Sequence, residues 1–157
     1  MSRPVPSYAR WPRILGLLSF LLFLFLGVTG GLLAFYYQPT PEAAYESVTT
    51  IARDVTLGWF VHQTHLWASR LFLLMLLVRV LRFFVQGTYR APREALWILA
   101  MLTWLVAMHA DLTGRLLAWD AQGYWTTVRG LEILYALPIL GPALSFLVGG
   151  TGVDTVV

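Results

Sequence analysis

The sequence predicts an all-α integral membrane bundle of three transmembrane helices, with short interfacial helices on the outer face. Three observations predict it. Of 157 residues, 58% are hydrophobic and only 12% charged, against roughly 25% charged in a soluble domain, which leaves too few charges to solvate a globular surface of this size. Residues 14–37 carry no charge at all, and two further long, mainly apolar stretches follow at 58–85 and 93–113. At about 20 residues per span, the length accommodates three or four spans and their loops in a single membrane domain over residues 1–157. With no cysteine in the chain, disulfides, thiol catalysis, Cys-ligated zinc and iron–sulfur clusters are excluded. Any metal must be held by His or carboxylates. All 11 basic residues are arginine and the formal net charge is +3, which reads as a GC-rich coding bias rather than a nucleic-acid surface, so no nucleic-acid partner is expected.

The first span, 14–37, is a Leu/Phe-rich run interrupted by Gly27, Gly30 and Gly31. It is longer than the roughly 7–15-residue apolar core of a signal peptide and lacks an Ala-x-Ala-like site. Gln38, Pro39, Thr40 and Pro41 end it, because proline cannot continue a hydrogen-bonded helix. Residues 45–56 mix Glu46, Arg53 and Asp54 with Val48, Ile51 and Val55 at helical spacing, the pattern of a short interfacial helix. The second span, 58–85, stops at Gly87, a residue suited to a helix C-terminus. The third, 93–113, opens on Pro92, whose missing N–H costs nothing in a first turn, and carries His109 and Asp111 near its far end. After Gly114 no 20-residue apolar run remains, and 131–148 is broken by Pro138, Gly141 and Pro142. Residues 114–150 therefore read as an amphipathic outer-face segment, held at headgroup level by Trp119, Tyr124, Trp125 and Tyr135. Arg3, Arg10 and Arg13 precede the first span, and Arg79, Arg82, Arg90 and Arg93 surround the second connection. The positive-inside rule puts both in the cytoplasm. The expected topology is N-terminus cytoplasmic and C-terminus outside, in a bacterial inner membrane.

Four polar residues inside the spans are candidates for function. Arg70 falls near the bilayer centre, where an arginine costs about 2.5–3.5 kcal/mol on insertion scales. It either pairs with a carboxylate or backbone carbonyls of other protein chains, or binds a haem propionate, a lipid phosphate or a quinone oxygen. Arg79 and Arg82 lie close enough to the cytoplasmic end to snorkel. His62 and His65 share one helix face, and His109 sits at similar depth on the antiparallel neighbour. Two imidazoles at one depth either ligate a haem or a shared metal or form ordinary interhelical hydrogen bonds.

Several segments together resemble the N-terminal half of cytochrome b, closest to the short cytochrome b of the chloroplast-type cytochrome bf complex. Thr29 and Gly30, followed by Phe35, Tyr36, Tyr37, Gln38, Pro39 and Thr40, resemble the end of that family's first helix. Tyr45, Glu46, Ser47 and Val48, then Gly58 and Trp59, resemble the loop and the entry to its second helix. His65, Leu66, Trp67, Ala68 and Ser69 resemble its histidine segment, and Gly87 with Pro92, Arg93 and Glu94 its second connection. The run from Gly114 through Leu116, Leu117, Ala118, Trp119 and Asp120 to Gly123, Tyr124 and Trp125 resembles its GYxLPWDQxxYW segment. Ile139, Leu140 and Gly141, with Gly149 and Gly150, resemble the helices before its fourth span.

The resemblance implies a quinol-oxidising mechanism with two stacked b haems, each held by one histidine from the second helix and one from the fourth. The two second-helix ligands stand fourteen residues apart, about 21 Å of rise and nearly four turns. His65 occupies the outer-haem position. Fourteen residues on stands Arg79, and a guanidinium has no lone pair for iron. The sequence ends at Val157, where the fourth helix is expected to begin. Position 70, small in the family, is Arg; Ala118 replaces the usual Pro and Ala121 the usual Gln. The resulting expectation is a cytochrome b-like membrane subunit of a quinone-linked electron-transfer complex, respiratory or photosynthetic, with degenerate haem sites and not an autonomous enzyme. Its site residues are His65, His109, His62 and Arg70 for haem, with His65 on the iron, and Trp119, Tyr124 and Trp125 for a quinone pocket. Two alternatives stay open. One is a redox-active split cytochrome b, with one haem on His65 and a second ligand from His109 or from a separate chain supplying the fourth helix. The other is a haem-free anchor for a peripheral oxidoreductase. In each case the expected partners are other membrane subunits and lipid.

Overall fold

The computed structural model describes residues 11–40 and 42–136; the outer-face helices expected beyond Ala136 lie outside the described residues. Among the described residues the chain is all-helical: α1 (Trp11–Ala34), α2 (Ala44–Arg53), α3 (Gly58–Val85), α4 (Glu94–Leu116) and α5 (Ala121–Tyr135). α1 closes one turn before the expected end, where the amides of Tyr36 and Tyr37 both bond the Leu33 carbonyl, each at 3.2 Å. Trp11, Pro12 and Arg13 are already helical, ahead of the uncharged run that begins at Ile14, because the helical backbone is indifferent to Arg13. α3 ends on a left-handed Gly87 at φ 65°. The Gly87 amide bonds the Phe84 carbonyl at 2.9 Å and the Thr88 amide bonds that of Phe83 at 2.9 Å, the paired bonds of a Schellman cap. α4 is capped by Arg93, so Pro92 precedes the helix instead of opening it, and the helix continues through Gly114 to Leu116.

α3 is the central element. α1 packs along one side of it, α4 along another, and α2 lies across its N-terminal end. α2 seats one face, Ala44, Ser47 and Ile51, and the junction to α3 is tight. Leu57 takes a left-handed φ of 61°, and a Cβ on Gly58 would collide with the Ile51 carbonyl oxygen. The α1–α3 seam is built from small residues. Ser19, Thr29 and Ala68 are buried, so the two backbones approach closely, as membrane helices do where lipid offers no hydrophobic drive between them. The Ser19 hydroxyl donates to the Leu15 carbonyl at 2.8 Å, which satisfies it within its own helix. Phe23 and Phe72 meet across the same seam with ring centroids 6.2 Å apart.

No large side chain among the described residues is fully buried, while Leu17, Phe20, Leu71, Leu74, Leu99 and Leu102 face outward. An apolar exterior of this extent requires lipid or protein around it. α1 and α4 are long and apolar enough to cross a membrane. α3 is longer, at 28 residues, and is less apolar because it holds Arg70, Arg79, Arg82, His62 and His65.

α5 starts where the Asp120 carboxylate accepts the Gly123 amide at 2.7 Å, a side-chain N-cap that satisfies a backbone donor left open at every helix start. Thr127 and Leu131 are buried one and two turns on, and α5 packs against α4. Asp120→Ala is expected to weaken α5 by about 1 kcal/mol, read as faster amide exchange across residues 121–135; exchange equal to wild type would remove the cap from the account.

Candidate functional site

Between α1, α3 and α4, at the end of the bundle where α2 lies, is a cavity of about 410 Å³. This is within the roughly 300–1,000 Å³ of pockets that take cofactor-sized ligands. Its wall is mainly apolar: Phe23, Leu26, Gly27 and Gly30 from α1, Leu66 and Phe72 from α3, Ala107 and Ala110 from α4, and Val48 and Ile51 from α2. The polar groups on it are few: His62, His65, Ser69, Tyr37, Asp111 and Arg115. α1 and α4 each pack on α3, and glycine and alanine line the sides that face the cavity.

His65 is held against α1. Its Nδ1 lies 2.7 Å from the Thr29 hydroxyl, and a Cβ added to Gly30 would stand 3.2 Å from its Cε1. With the Thr29 hydroxyl donating to the Phe25 carbonyl at 2.8 Å, its oxygen is free to accept from the imidazole. In that tautomer the proton is on Nδ1 and the lone pair on Nε2. An imidazole oriented by a hydrogen bond at one nitrogen and basic at the other is the form that ligates iron. The residues present at this end therefore fit a haem ligated by His65.

At the mouth of the cavity Arg115 pairs with Asp111 at 2.7 Å, the guanidinium side chain 60% exposed and the carboxylate 11%. The Tyr37 hydroxyl donates to the Leu117 carbonyl at 2.9 Å and ties the end of α1 to the end of α4 across the opening.

The other expected site residues divide. His62 lines the cavity beside His65. His109 is exposed and absent from the cavity wall, because the inward stripe of α4 runs through Ala107, Ala110, Asp111 and Gly114 and position 109 is turned about 100° from Ala110. Equal depth with His65 does not bring the two rings together. Arg70 is exposed and likewise off the cavity, so the arginine on its wall is Arg115. Trp119, Tyr124 and Trp125 form an edge-to-face row, with centroids 6.3 Å apart at 89° and 5.5 Å apart at 79°, at the same end of the bundle and outside the cavity lining. Thr29, Tyr37, Asp111 and Arg115 were not expected as site residues. Thr29 and Tyr37 stand in the first-span resemblance and Asp111 near the end of the third span, but nothing in the sequence alone turns them toward a common cavity.

At the opposite end, fourteen residues along α3 from His65, Arg79 lies on a smaller groove of about 150 Å³ with Leu76, Phe83, Leu96 and Thr103. Its guanidinium carbon stands 5.6 Å from the Phe83 ring centre. The donor set there does not fit a haem ligand, since a guanidinium offers iron no lone pair.

An apolar membrane bundle with an oriented imidazole on the wall of a cofactor-sized cavity is the class of protein this fold and site define. Residues 1–157 match the family described as cytochrome b/b6/petB, and the chain belongs to that cytochrome b family. It is 36% identical over 148 residues to cytochrome b6 of Heliobacterium modesticaldum, covering 94% of this chain and 70% of that one. It is 35% identical over 147 residues to the menaquinol:cytochrome c reductase cytochrome b subunit of Geobacillus thermodenitrificans, covering 94% of this chain and 66% of that one. A solved chain of a hyperthermophilic respiratory Complex III superposes with a TM-score of 0.76 at 28% identity, over 86% of this chain and 35% of its own length. The chain thus spans about a third of that protein.

Proposed function

We propose that the chain is the cytochrome b-like subunit of a quinol-oxidising, Complex III or bf-type electron-transfer complex, with one haem b site at His65 and the second lost at Arg79. The observation that carries the reading is the hydrogen-bond pair from Phe25 through Thr29 to His65, which presents a basic Nε2 on a residue of the cavity wall. In this reading α1, α3 and α4 are three spans, and the α2 end faces the outer side of a bacterial inner membrane with the N-terminus cytoplasmic. A haem in the cavity would supply one-electron exchange between its ferric and ferrous states. The chain's own residues do the rest. His65 would hold the group, Thr29 would orient the ring, and the glycine and alanine wall would give it room. His62 and Arg115 would offer the cationic or hydrogen-bonding edge that its carboxylates need. Because His109 faces away, a haem here would take any further protein ligand from outside the described residues. The row of Trp119, Tyr124 and Trp125 is the proposed wall of a quinone pocket at the same end. Neighbouring membrane subunits complete the assembly.

Haem stoichiometry tests this. The purified complex is expected to hold one haem b per copy of this chain by pyridine haemochrome assay. Two would overturn the loss at Arg79, and none would overturn the site at His65.

A further inference from the structure

The outward side of α3 carries a second pattern that the cavity does not use. Trp67, Leu71, Leu74, Val78, Leu81 and Val85 recur at spacings of four and three and are all exposed, Trp67 to 61% and Leu74 to 51%. A 3.5-residue apolar repeat is the seam of two helices packed knobs-into-holes. Arg70 flanks this seam, exposed, its guanidinium carbon 5.3 Å from the Trp67 ring centre. It has no ion-pair partner among the described residues. It lies about 18 Å along the helix from Gly58, too deep for its stem to reach either interface.

We infer that this seam docks a transmembrane helix of a different chain, one that presents an Asp or Glu to Arg70. The inference rests on reading α3 as a membrane span. Two facts about charge select the occupant. Leaving a guanidinium unpaired at this depth is costly in lipid, so lipid alone is a poor cover. A second copy of this chain does no better. With Leu71 and Leu74 at the seam, the free flanking position that a parallel copy would set opposite Arg70 is Met75, which supplies no charge. The acidic groups of the described spans lie elsewhere: Glu94 in the first turn of α4, and Asp111 near its other end, already paired with Arg115. The flanking position of a coiled-coil seam is where interhelical ion pairs fix partner and orientation.

The test uses the assembled complex in its own membranes, with a photo-crosslinking residue at Leu74 and mass-spectrometric mapping of the product. The expected product is a helix of another chain with an acidic residue within one turn of the cross-link. Arg70→Glu is expected to lower the co-purifying partner at least 10-fold per mole of this chain, and exchanging the partner's acid for Arg is expected to restore it. Arg70→Leu removes an insertion cost, so loss of partner in that variant is not a folding failure. Cross-links to lipid or to a second copy alone, or an unchanged partner ratio in Arg70→Leu, overturn the inference. Because the chain has no cysteine, Leu71→Cys separates the two readings. Labelling by a water-soluble maleimide in intact and in opened membranes would overturn the span; protection from label with cross-links to lipid alone overturns only the docking.

Discussion

His65→Ala is expected to abolish the b-type absorption band of the assembled complex, because it removes the imidazole on the cavity wall that a hydroxyl on the neighbouring helix orients. The ring is neither free nor interchangeable with its neighbours: His62 shares the cavity without that hydrogen bond, and His109 is turned outward. Thr29→Val separates ligation from orientation. It keeps the volume of the side chain and removes the oxygen that accepts the Nδ1 proton. Loss of such an outer partner typically weakens a metal site by about 10- to 100-fold, so Thr29→Val is expected to retain the band with lowered occupancy and a shifted midpoint potential, while its chain level stays at wild type. A complex of His65→Ala with an undiminished b band would remove His65 from the site.

Gly58→Ala is expected to be the most damaging single substitution outside the cavity. The added Cβ meets the Ile51 carbonyl oxygen, and backbone cannot rotate away as a side-chain tip can. Forcing atoms into packed space costs about 1–3 kcal/mol in ordinary cores, and this site is at the upper end because Leu57 already holds the junction in a left-handed turn. The readout is protease access between Pro39 and Gly58 in reconstituted membranes. Since Val48 and Ile51 line the cavity, the same variant is expected to lose haem together with α2. Intact α2 protection in Gly58→Ala would show that the junction relaxes.

These two sites show what the sequence exposes and what it hides. Chain stops are local: Gly87 marks the end of α3 because its left-handed φ and two amide bonds depend on residues within one turn. The extent of α1 was harder to read, since charge marks where lipid ends and not where the helix does; Trp11 and Arg13 are helical. His65 stood out by the family's spacing, and Arg79 by its departure from it. What remained hidden was direction. His109 shares the depth of His65, yet depth follows from counting rise along a helix, whereas facing depends on how α4 is rotated against α3. The stripe through Ala107, Ala110 and Asp111 fixes that rotation only once the helices are packed. The Thr29 contact spans 36 positions and has no periodic signature at all. Arg115 falls, by composition, at the start of an outer-face segment, whereas the structure places it in the last turn of α4.

The lack of any fully buried large side chain among the described residues also bears on the fate of the protein in the cell. The buried groups among these residues are small or only nearly covered, such as Ala68, Leu76 and Ile51, so the bundle taken alone gains little from its own packing. Copies of the chain made in excess of their partners are expected to turn over faster than assembled ones, which a pulse-chase with and without co-expressed partners would read.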